Sequence, residues 1–471
     1  MKLRVENFGP ISYADVEIKP LTVLIGKNNA GKSMLAQLIF TLMTLTEGYI
    51  PRRFLTSMLQ HIRTTEDFIA PYLRQVDDLR KKIKEAREIT HLSCVKMVVD
   101  MIIEYLTQYL NKTLGDFLER YFAMELKSLV NLYSDYTRVE CAYSKYSIAE
   151  FTITKDGNLS AKFDIKMMDE LIDNILKDEE TNKLINRVIR SRGGRDFTST
   201  IAAIEKIAEF IFPKRPLLST LYIPAGRAGL LEGYEAVSSA LIALASTAPL
   251  KGISVPPIPG MAYEFYSLLL QLTGRKGPFE KMSDLFKEVI EGEIVFEELK
   301  LPKSKMVYRF KFKDKESSVD LIHAASMVKE LSPIYLVLRE LVDKGYLLII
   351  EEPESHLHPA AQVKLMEIFA QLVNEGLEIL ITTHSDILLR KLAHLVMEGL
   401  TGGRANANLK PEDVAVYLLK PDEKGYVTRE VNILEEMPTF DEVIEQLYEE
   451  ERNLCYLSLQ REMNEASPRN F

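Results

Sequence analysis

One stretch of eight residues has the composition and spacing of a loop that binds nucleotide phosphates. Residues 26–33 fit the pattern G-x-x-x-x-G-K-[ST]. The two glycines let the backbone wrap so that successive N–H groups face a phosphate at the start of a helix. The ammonium of Lys32 would bridge the β- and γ-phosphates, and the hydroxyl of Ser33 would ligate Mg²⁺. The predicted phosphate contacts are Gly26, Lys27, Asn28, Asn29, Ala30, Gly31, Lys32 and Ser33.

Two adjacent carboxylates follow a second apolar run. Residues 346–350 are apolar, and Glu351 and Glu352 come directly after them. Consecutive strand residues point to opposite faces of a sheet, so the two carboxylates can do different jobs. One can hold Mg²⁺ through water while the other polarises the water that attacks the γ-phosphate. A strand that merely runs into solvent also ends in acidic residues, but beside a phosphate-binding loop the catalytic interpretation is favoured.

Three histidines offer further candidates of unequal weight. His384 follows the apolar run 379–383, and a histidine at the carboxyl end of a parallel strand points into the crevice where ligands bind. An ordinary surface histidine is the alternative. His356 and His358 lie in a turn beside Pro359, without a cysteine or a spaced third histidine. A loop is therefore favoured over a zinc site for that pair.

The elements that must position these residues indicate an α/β fold. The run 21–25 suits a central strand covered on both faces, and helical spacing follows from 32 to about 46. The runs 346–350 and 378–382, separated by a helical pattern over 359–373, have the spacing of a βαβ unit. Further strands are predicted at 3–8, 14–18, 221–224, 306–313, 414–419 and 427–432, and an acidic helix is predicted at 440–454.

Residues 47–215 differ in character and read as an insertion. Helical patterns dominate, as at 76–87 and 97–111, and one hairpin is predicted around Asp156-Gly157. Two basic clusters lie in this segment, at 80–84 and at Arg187, Arg190, Arg192 and Arg195. A solvated helix face is the usual meaning of such clusters, and contact with DNA or with a partner protein is the alternative.

Composition excludes several classes of protein. The 471 residues include 59 Lys and Arg against 68 Asp and Glu, a net charge of −9. This argues against coating nucleic acid over the whole surface, although a local basic groove stays compatible with it. Three scattered cysteines indicate neither a disulfide framework nor a zinc ribbon. Without a membrane-length apolar run or a signal-peptide core, we expect a cytoplasmic protein with no membrane partner.

Taken together, these motifs resemble those of a known group. Residues 3–10, 26–33, 350–359 and 383–385 resemble the ABC-class ATPase heads of the SMC, RecF and OLD-like group. Residues 223–227 are similar to stand-alone members of that group. The resemblance covers about residues 1–45 and 216–450. A fused Toprim nuclease is not expected, because the chain has no D-x-D pair, so any nuclease or effector would be a separate chain.

The resemblance implies roles for the acidic pair and for the histidine. Glu351 takes the Walker B position and would hold Mg²⁺, Glu352 takes that of the general base, and His384 would sense the γ-phosphate. Such heads sandwich two ATP molecules between two protomers, which implies a homodimer or a higher oligomer with ATP and Mg²⁺ as cofactors. Residues 355–358 match the loop that crosses to the second protomer. For the Q-loop glutamine of such heads, Gln60 and Gln75 are equal candidates.

The signature motif departs from the pattern of the group. It should lie at residues 324–331, where Ser326 is the remaining hydroxyl for the partner's nucleotide and Met327 stands in place of a glycine. A side chain at a position where the backbone must approach phosphate should weaken the contact across the dimer. We therefore expect slow hydrolysis or a looser dimer.

The expected architecture is an ABC-type P-loop NTPase head with a mixed β-sheet, interrupted by a mostly α-helical insertion that contains a β-hairpin. The head would comprise residues 1–46 and 216–455, the insertion residues 47–215, and a tail residues 456–471. The expected function is ATP hydrolysis in which head dimerisation controls DNA engagement, in DNA maintenance or phage defence. The alternative is a slow nucleotide-gated switch that holds a separate effector protein without binding DNA.

Overall fold

The computed structural model describes most of the chain. The described ranges are residues 1–47, 66–85, 90–190, 197–212, 220–234, 260–299, 305–313, 317–402, 407–436 and 448–458. Several sequence predictions lie outside them: Gln60, Arg192, Arg195, the first part of the acidic helix at 440–447, and the tail beyond residue 458. The described end of that helix, residues 448–458, is helical and exposed.

Fourteen strands form two sheets within the described ranges. They are β1 Lys2–Phe8, β2 Ile11–Glu17, β3 Leu21–Gly26, β4 Tyr136–Ala142, β5 Ser147–Thr154, β6 Leu159–Ile165, β7 Thr220–Ile223, β8 Gly292–Leu299, β9 Lys305–Phe312, β10 Ser318–Asp320, β11 Leu347–Glu351, β12 Glu378–Thr383, β13 Val414–Asp422 and β14 Gly425–Glu430. The large sheet has the order β6-β5-β4-β1-β2-β14-β13-β3-β12-β11-β7, and the small one β10-β9-β8. The predicted α/β fold with a mixed sheet is confirmed.

Helices pack against both faces of the large sheet. They are α1 Lys32–Glu47, α2 Glu66–Glu85, α3 His91–Phe122, α4 Met168–Lys177, α5 Glu179–Arg190, α6 Phe197–Ile211, α7 Met261–Gln271, α8 Glu280–Ser283, α9 Phe286–Ile290, α10 Ser326–Glu340, α11 Pro359–Asn374 and α12 Asp386–Thr401. Residues 227–234 are also helical. No helix in these ranges combines the length and the apolar composition that crossing a bilayer requires.

The parallel half of the large sheet carries the predicted chemistry. Strand β3 lies between β12 and β13 and runs parallel to both, and β11 and β7 continue the parallel set. All six residues of β3 are buried, as the continuous apolar run predicted, because both faces of the sheet are covered. The predicted βαβ unit is present as β11, α11 and β12. Since parallel strands end at one edge, the residues that follow β3, β11 and β12 converge there.

The antiparallel half extends the sheet with residues from the segment predicted as an insertion. The predicted hairpin is present as β5 and β6, and a further strand, β4, pairs with β5 on one side and β1 on the other. One hydrophobic core joins α1, α3 and these strands, with Phe40, Val95 and Phe151 among its buried members. Residues 47–215 therefore contribute strands to the sheet of the head as well as helices.

Candidate functional site

The loop between β3 and α1 has a backbone that depends on both of its glycines. Gly26, Asn29 and Gly31 have φ angles of 150°, 62° and 97°. A Cβ atom on Gly31 would lie 2.8 Å from Ile11 Cγ1, and one on Gly26 would lie 2.9 Å from the carbonyl oxygen of Leu419. Because such distances are below van der Waals contact, glycine is required at both positions. A tight wrap of this kind before a helix is what a phosphate-binding loop needs.

Lys32 is the first residue of α1, and its side chain folds back over this loop. The ammonium donates to the carbonyl oxygens of Gly26 at 3.0 Å and Lys27 at 2.9 Å. The residue is only 6% exposed. Burial lowers the pKa of Lys32 to about 8, although the negative charges of Glu352 and Glu354 act to raise it. Phosphate oxygens that enter the cleft would therefore favour the protonated, charged form of Lys32.

A cleft of about 670 Å³ opens beside the loop and unites residues from distant parts of the sequence. It is lined by Pro10, Asn28, Asn29, Gly31, Lys32, Ser33, Met34, Glu352 and His384. The predicted phosphate loop, general base and γ-phosphate sensor thus share one cavity. Lys27 is exposed beside it, while Ala30 is buried within the loop.

Glu352 directly follows β11 and leaves the extended conformation of that strand, because its backbone lies in the left-handed region. Its φ angle is 42°, and its N–H donates to the carbonyl oxygen of Thr382 at 2.9 Å. One carboxylate oxygen lies 3.7 Å from Nε2 of His384, and the other accepts from the hydroxyl of Ser355 at 3.5 Å. A half-exposed carboxylate in the cleft, next to an imidazole, can accept a proton from a water molecule. Its catalytic role stays a prediction that this geometry supports.

Glu351 faces the other way and is held by β7 and the residues after it. Its buried carboxylate accepts hydrogen bonds from the hydroxyl of Tyr222 and, at 3.1 Å, from the N–H of Ala225. Tyr222 packs edge-on against Phe40 of α1, with ring centroids 5.3 Å apart. Ser33 lines the cleft, whereas Glu351 is not among the described residues that line it.

The donor set fits Mg²⁺ bound mainly by nucleotide and water. Ser33 offers a hydroxyl in the cleft, whereas the carboxylate of Glu351 faces away from the cleft and already accepts two hydrogen bonds, so it would act on the metal through water. Mg²⁺ usually keeps several waters and takes few protein ligands beside substrate phosphates. The assignment of Ser33 and Glu351 to the metal stays a prediction.

Glu354 contributes to the site, although sequence reasoning missed it. Its Oε1 accepts from the hydroxyl of Thr383 at 2.6 Å and from the N–H of His384 at 2.8 Å. Burial raises the pKa of Glu354. Burial also lowers the pKa of His384, and the positive charge of Lys32 lowers it further. Both effects favour the neutral form of the imidazole, in which one ring nitrogen is a donor and the other an acceptor.

Arg227 is the second residue that sequence reasoning missed. It is fully buried, and its guanidinium donates to the carbonyl oxygens of Glu351 at 2.6 Å and Glu352 at 3.0 Å. It also pairs with Glu330 of α10. The sequence signal was an arginine four residues after the end of a short apolar strand, with no acidic residue within four positions before it.

The proposed signature serine lies outside the cleft of its own chain. Ser326 begins α10, is exposed, and does not line the cleft, whereas the neighbouring Met327 is half-buried. His358 caps α11, because its Nδ1 accepts from the N–H of Ala360 at 3.3 Å. Throughout the described ranges, no cluster of three His, Cys, Asp or Glu side chains could hold a metal ion. Gln75 donates to Gln108 of α3 and is not among the cleft residues.

Two families of ATPase domains match the chain. The family described as "AAA ATPase domain" matches residues 1–209, and the family described as "AAA domain, putative AbiEii toxin, Type IV TA system" matches residues 328–390. The first match contains the phosphate-binding loop, and the second contains Glu351, Glu352 and His384. These matches confirm the resemblance to an ATPase domain. None of the curated proteins compared matches the chain.

Solved structures of SMC heads are similar to the chain at low sequence identity. The SmcHead bound to the C-winged helix domain of ScpA shares 9% identity, with a TM-score of 0.41 over 92% of this chain and 97% of that one. The Pyrococcus furiosus Smc head domain with an extended coiled coil, bound to the C-terminal domain of ScpA, shares 10%, with a TM-score of 0.39 over 96% and 98%. The SMC head domain from Thermotoga maritima shares 7%, with a TM-score of 0.37 over 92% and 98%.

The pKa of Lys32 leads to a prediction about pH. Only the protonated ammonium attracts phosphate, so ATP affinity should be nearly constant below pH 8 and fall above it, by up to about tenfold per pH unit. Titration with a fluorescent ATP analogue between pH 7 and 10 measures this. Lys32→Arg keeps its charge throughout that range and should bind with no such slope. Equal slopes in the two proteins would show that another group controls the pH dependence.

Proposed function

We propose that this chain, an AAA-type ATPase with an ABC-class head, binds Mg²⁺-ATP in the cleft and hydrolyses it slowly in the cytoplasm, with two heads pairing around the nucleotide. The observation that carries the proposal is the convergence of Lys32, Ser33, Glu352 and His384 on one cavity at the ends of parallel strands. Nucleotides bind at such strand ends because the loops there are free to wrap around phosphates.

The residues of the cleft suit the charge that hydrolysis develops. Backbone N–H groups of the loop and the Lys32 ammonium would hold the β- and γ-phosphates, and Mg²⁺ held by Ser33 and Glu351 would neutralise their charge. The Glu352 carboxylate would orient the attacking water and accept its proton. The neutral imidazole of His384, 3.7 Å from that carboxylate, would hydrogen-bond to the γ-phosphate or to the water.

The exposed start of α10 supports pairing of two heads. Ser326 does not line the cleft of its own chain, and no side chain caps the first N–H groups of α10. A helix N-terminus with free N–H groups and a hydroxyl attracts anions. We propose that the nucleotide of a second protomer is that anion, and that higher oligomers would be built from such pairs.

Replacing the proposed general base should separate ATP binding from hydrolysis. Glu352→Gln keeps the shape of the side chain but cannot accept a proton, so ATP should stay bound and hold two protomers together. Light scattering with ATP should then report twice the mass of one chain. The matched control is Lys32→Ala, which should bind ATP weakly and stay a single chain. A Glu352→Gln protein that binds ATP and remains a single chain would contradict the pairing model.

The methionine in the signature motif leads to a second prediction. Met327→Gly should raise turnover at saturating ATP about fivefold, because backbone N–H groups could then approach the partner's phosphate. Met327→Ala, which keeps a Cβ atom, should give an intermediate rate. Steady-state phosphate release measures both. Equal rates in the three proteins would show that the side chain at this position does not limit hydrolysis.

We consider two biological roles for this ATPase: control of DNA engagement, in DNA maintenance or in phage defence, and a switch that holds an effector protein. The resemblance to SMC and RecF heads favours control of DNA engagement, and the description of the family matched by residues 328–390, which names a toxin–antitoxin system, favours a defence setting. The net charge of −9 favours a nucleotide-gated switch that holds an effector protein or nuclease. Of the basic clusters, Lys81 lies near Asp78, and Arg187 and Arg190 are exposed on α5.

Duplex DNA separates these roles by its effect on turnover. If DNA engages the protein through its basic residues, it should stimulate phosphate release at low salt and lose that effect as salt rises. Glu352→Gln serves as the blank. Arg187→Glu together with Arg190→Glu should abolish the stimulation. A slow rate that DNA leaves unchanged at every salt concentration would support the protein-partner switch and contradict DNA engagement.

A further inference from the structure

The guanidinium of Arg227 joins three elements of the fold behind the cleft. Besides its bonds to the carbonyl groups at the end of β11, it donates to the carbonyl oxygen of Pro224, after β7, at 3.1 Å. Its Nε donates to the carbonyl oxygen of Glu330 at 2.9 Å and lies 3.0 Å from Oε2 of that residue. The planar fork of arginine can hold several acceptors in fixed directions, which a lysine ammonium cannot do.

One of these acceptors belongs to a residue in a strained conformation. Glu352 has a φ angle of 42°, in the left-handed region that is unfavourable for a residue with a side chain. Such a conformation persists where its surroundings hold it. Its N–H is held by Thr382 of β12, and its carbonyl oxygen by Nη2 of Arg227 at 3.0 Å. Arg227 therefore helps to fix the direction in which the Glu352 carboxylate leaves the chain.

The other end of the link lies on α10. Glu330 is 1% exposed, and its second carboxylate oxygen accepts from the N–H of Ala228 at 3.1 Å. It lies four residues after Ser326, which is about one turn along the same helix. A helix moves as a rigid unit over one turn, so a displacement at Ser326 is transmitted to Glu330.

We infer that Arg227 is a positioning residue for Glu352, and that its pair with Glu330 makes the position of that carboxylate depend on α10. The inference rests on the proposed function, in which the start of α10 contacts the partner's nucleotide. Contact at the α10 of one protomer would then set the carboxylate in the cleft of the same protomer. Hydrolysis in each cleft would be delayed until the two heads have paired.

Substitutions that preserve volume test this link in the full chain. Arg227→Lys retains the charge but loses the fork, and Glu330→Gln retains the bond to Ala228 but weakens the hold on the guanidinium. In both, we expect kcat to fall about tenfold or more, while the Kd for a fluorescent ATP analogue stays within about threefold. The matched control is Arg309→Lys. Arg309 also makes forked contacts, to Ser318 and Asp320 in the small sheet, and its replacement should leave kcat unchanged.

Hydrogen exchange provides a readout that does not depend on turnover. In both variants, amides of residues 351–356 should exchange about tenfold faster than in the wild type, and those of residues 26–33 should be unaffected. Unchanged exchange in residues 351–356 would overturn the inference, as would losses of kcat and ATP affinity in equal proportion. A wild-type protein that binds ATP without hydrolysing it would refute the proposed hydrolysis instead, and the exchange measurement would still decide the role of Arg227.

Discussion

The buried positive charge of Arg227 is the constraint on which the candidate site depends. A guanidinium out of water is costly unless acceptors and carboxylates surround it. Burial lowers the pKa of Arg227, and the charges of Glu330, Glu354, Glu351 and Glu352 raise it. The arginine in turn reduces the repulsion among these four carboxylates, three of which lie at the end of β11 and in the residues directly after it. The acidic end of β11 is therefore compatible with a compact core, because Arg227, at the start of the helical residues that follow β7, supplies the opposite charge.

The arrangement of parallel strands converts that local charge balance into a binding site. Strands β3, β12 and β11 lie side by side in that order and end at the same edge. The phosphate loop, His384 and the acidic pair follow them in the same spatial order. The left-handed backbone of Glu352 directs one carboxylate into the cleft, whereas Glu351 remains buried against Tyr222. Two adjacent acidic residues thus acquire different surroundings, one in the cleft and one behind it.

The outer strands show how a segment of different composition joined the same sheet. Strand β4 escaped sequence reasoning because its inward residues, Thr137, Val139 and Cys141, include only one strongly apolar side chain of the kind that strand patterns need. Its place was set by pairing with β1, 134 residues earlier by their first residues, Lys2 and Tyr136. Pairing between two strands so far apart in the sequence depends on whether their apolar faces and registers match. The residue pattern of one short segment does not contain that information.

The sequence by itself determined the phosphate loop, the acidic strand end, the βαβ unit and the hairpin, because each depends on the order of residues within a short window. It also identified His384, since a strand end can be recognised locally. Only the tertiary structure showed that Glu354 holds the backbone of His384, that Glu351 is bound from β7, and that Arg227 joins β11 to α10. These contacts link residues from 29 to 129 positions apart. Their partners are chosen by burial, since a charge removed from water must be paired with whichever opposite charge the fold brings near.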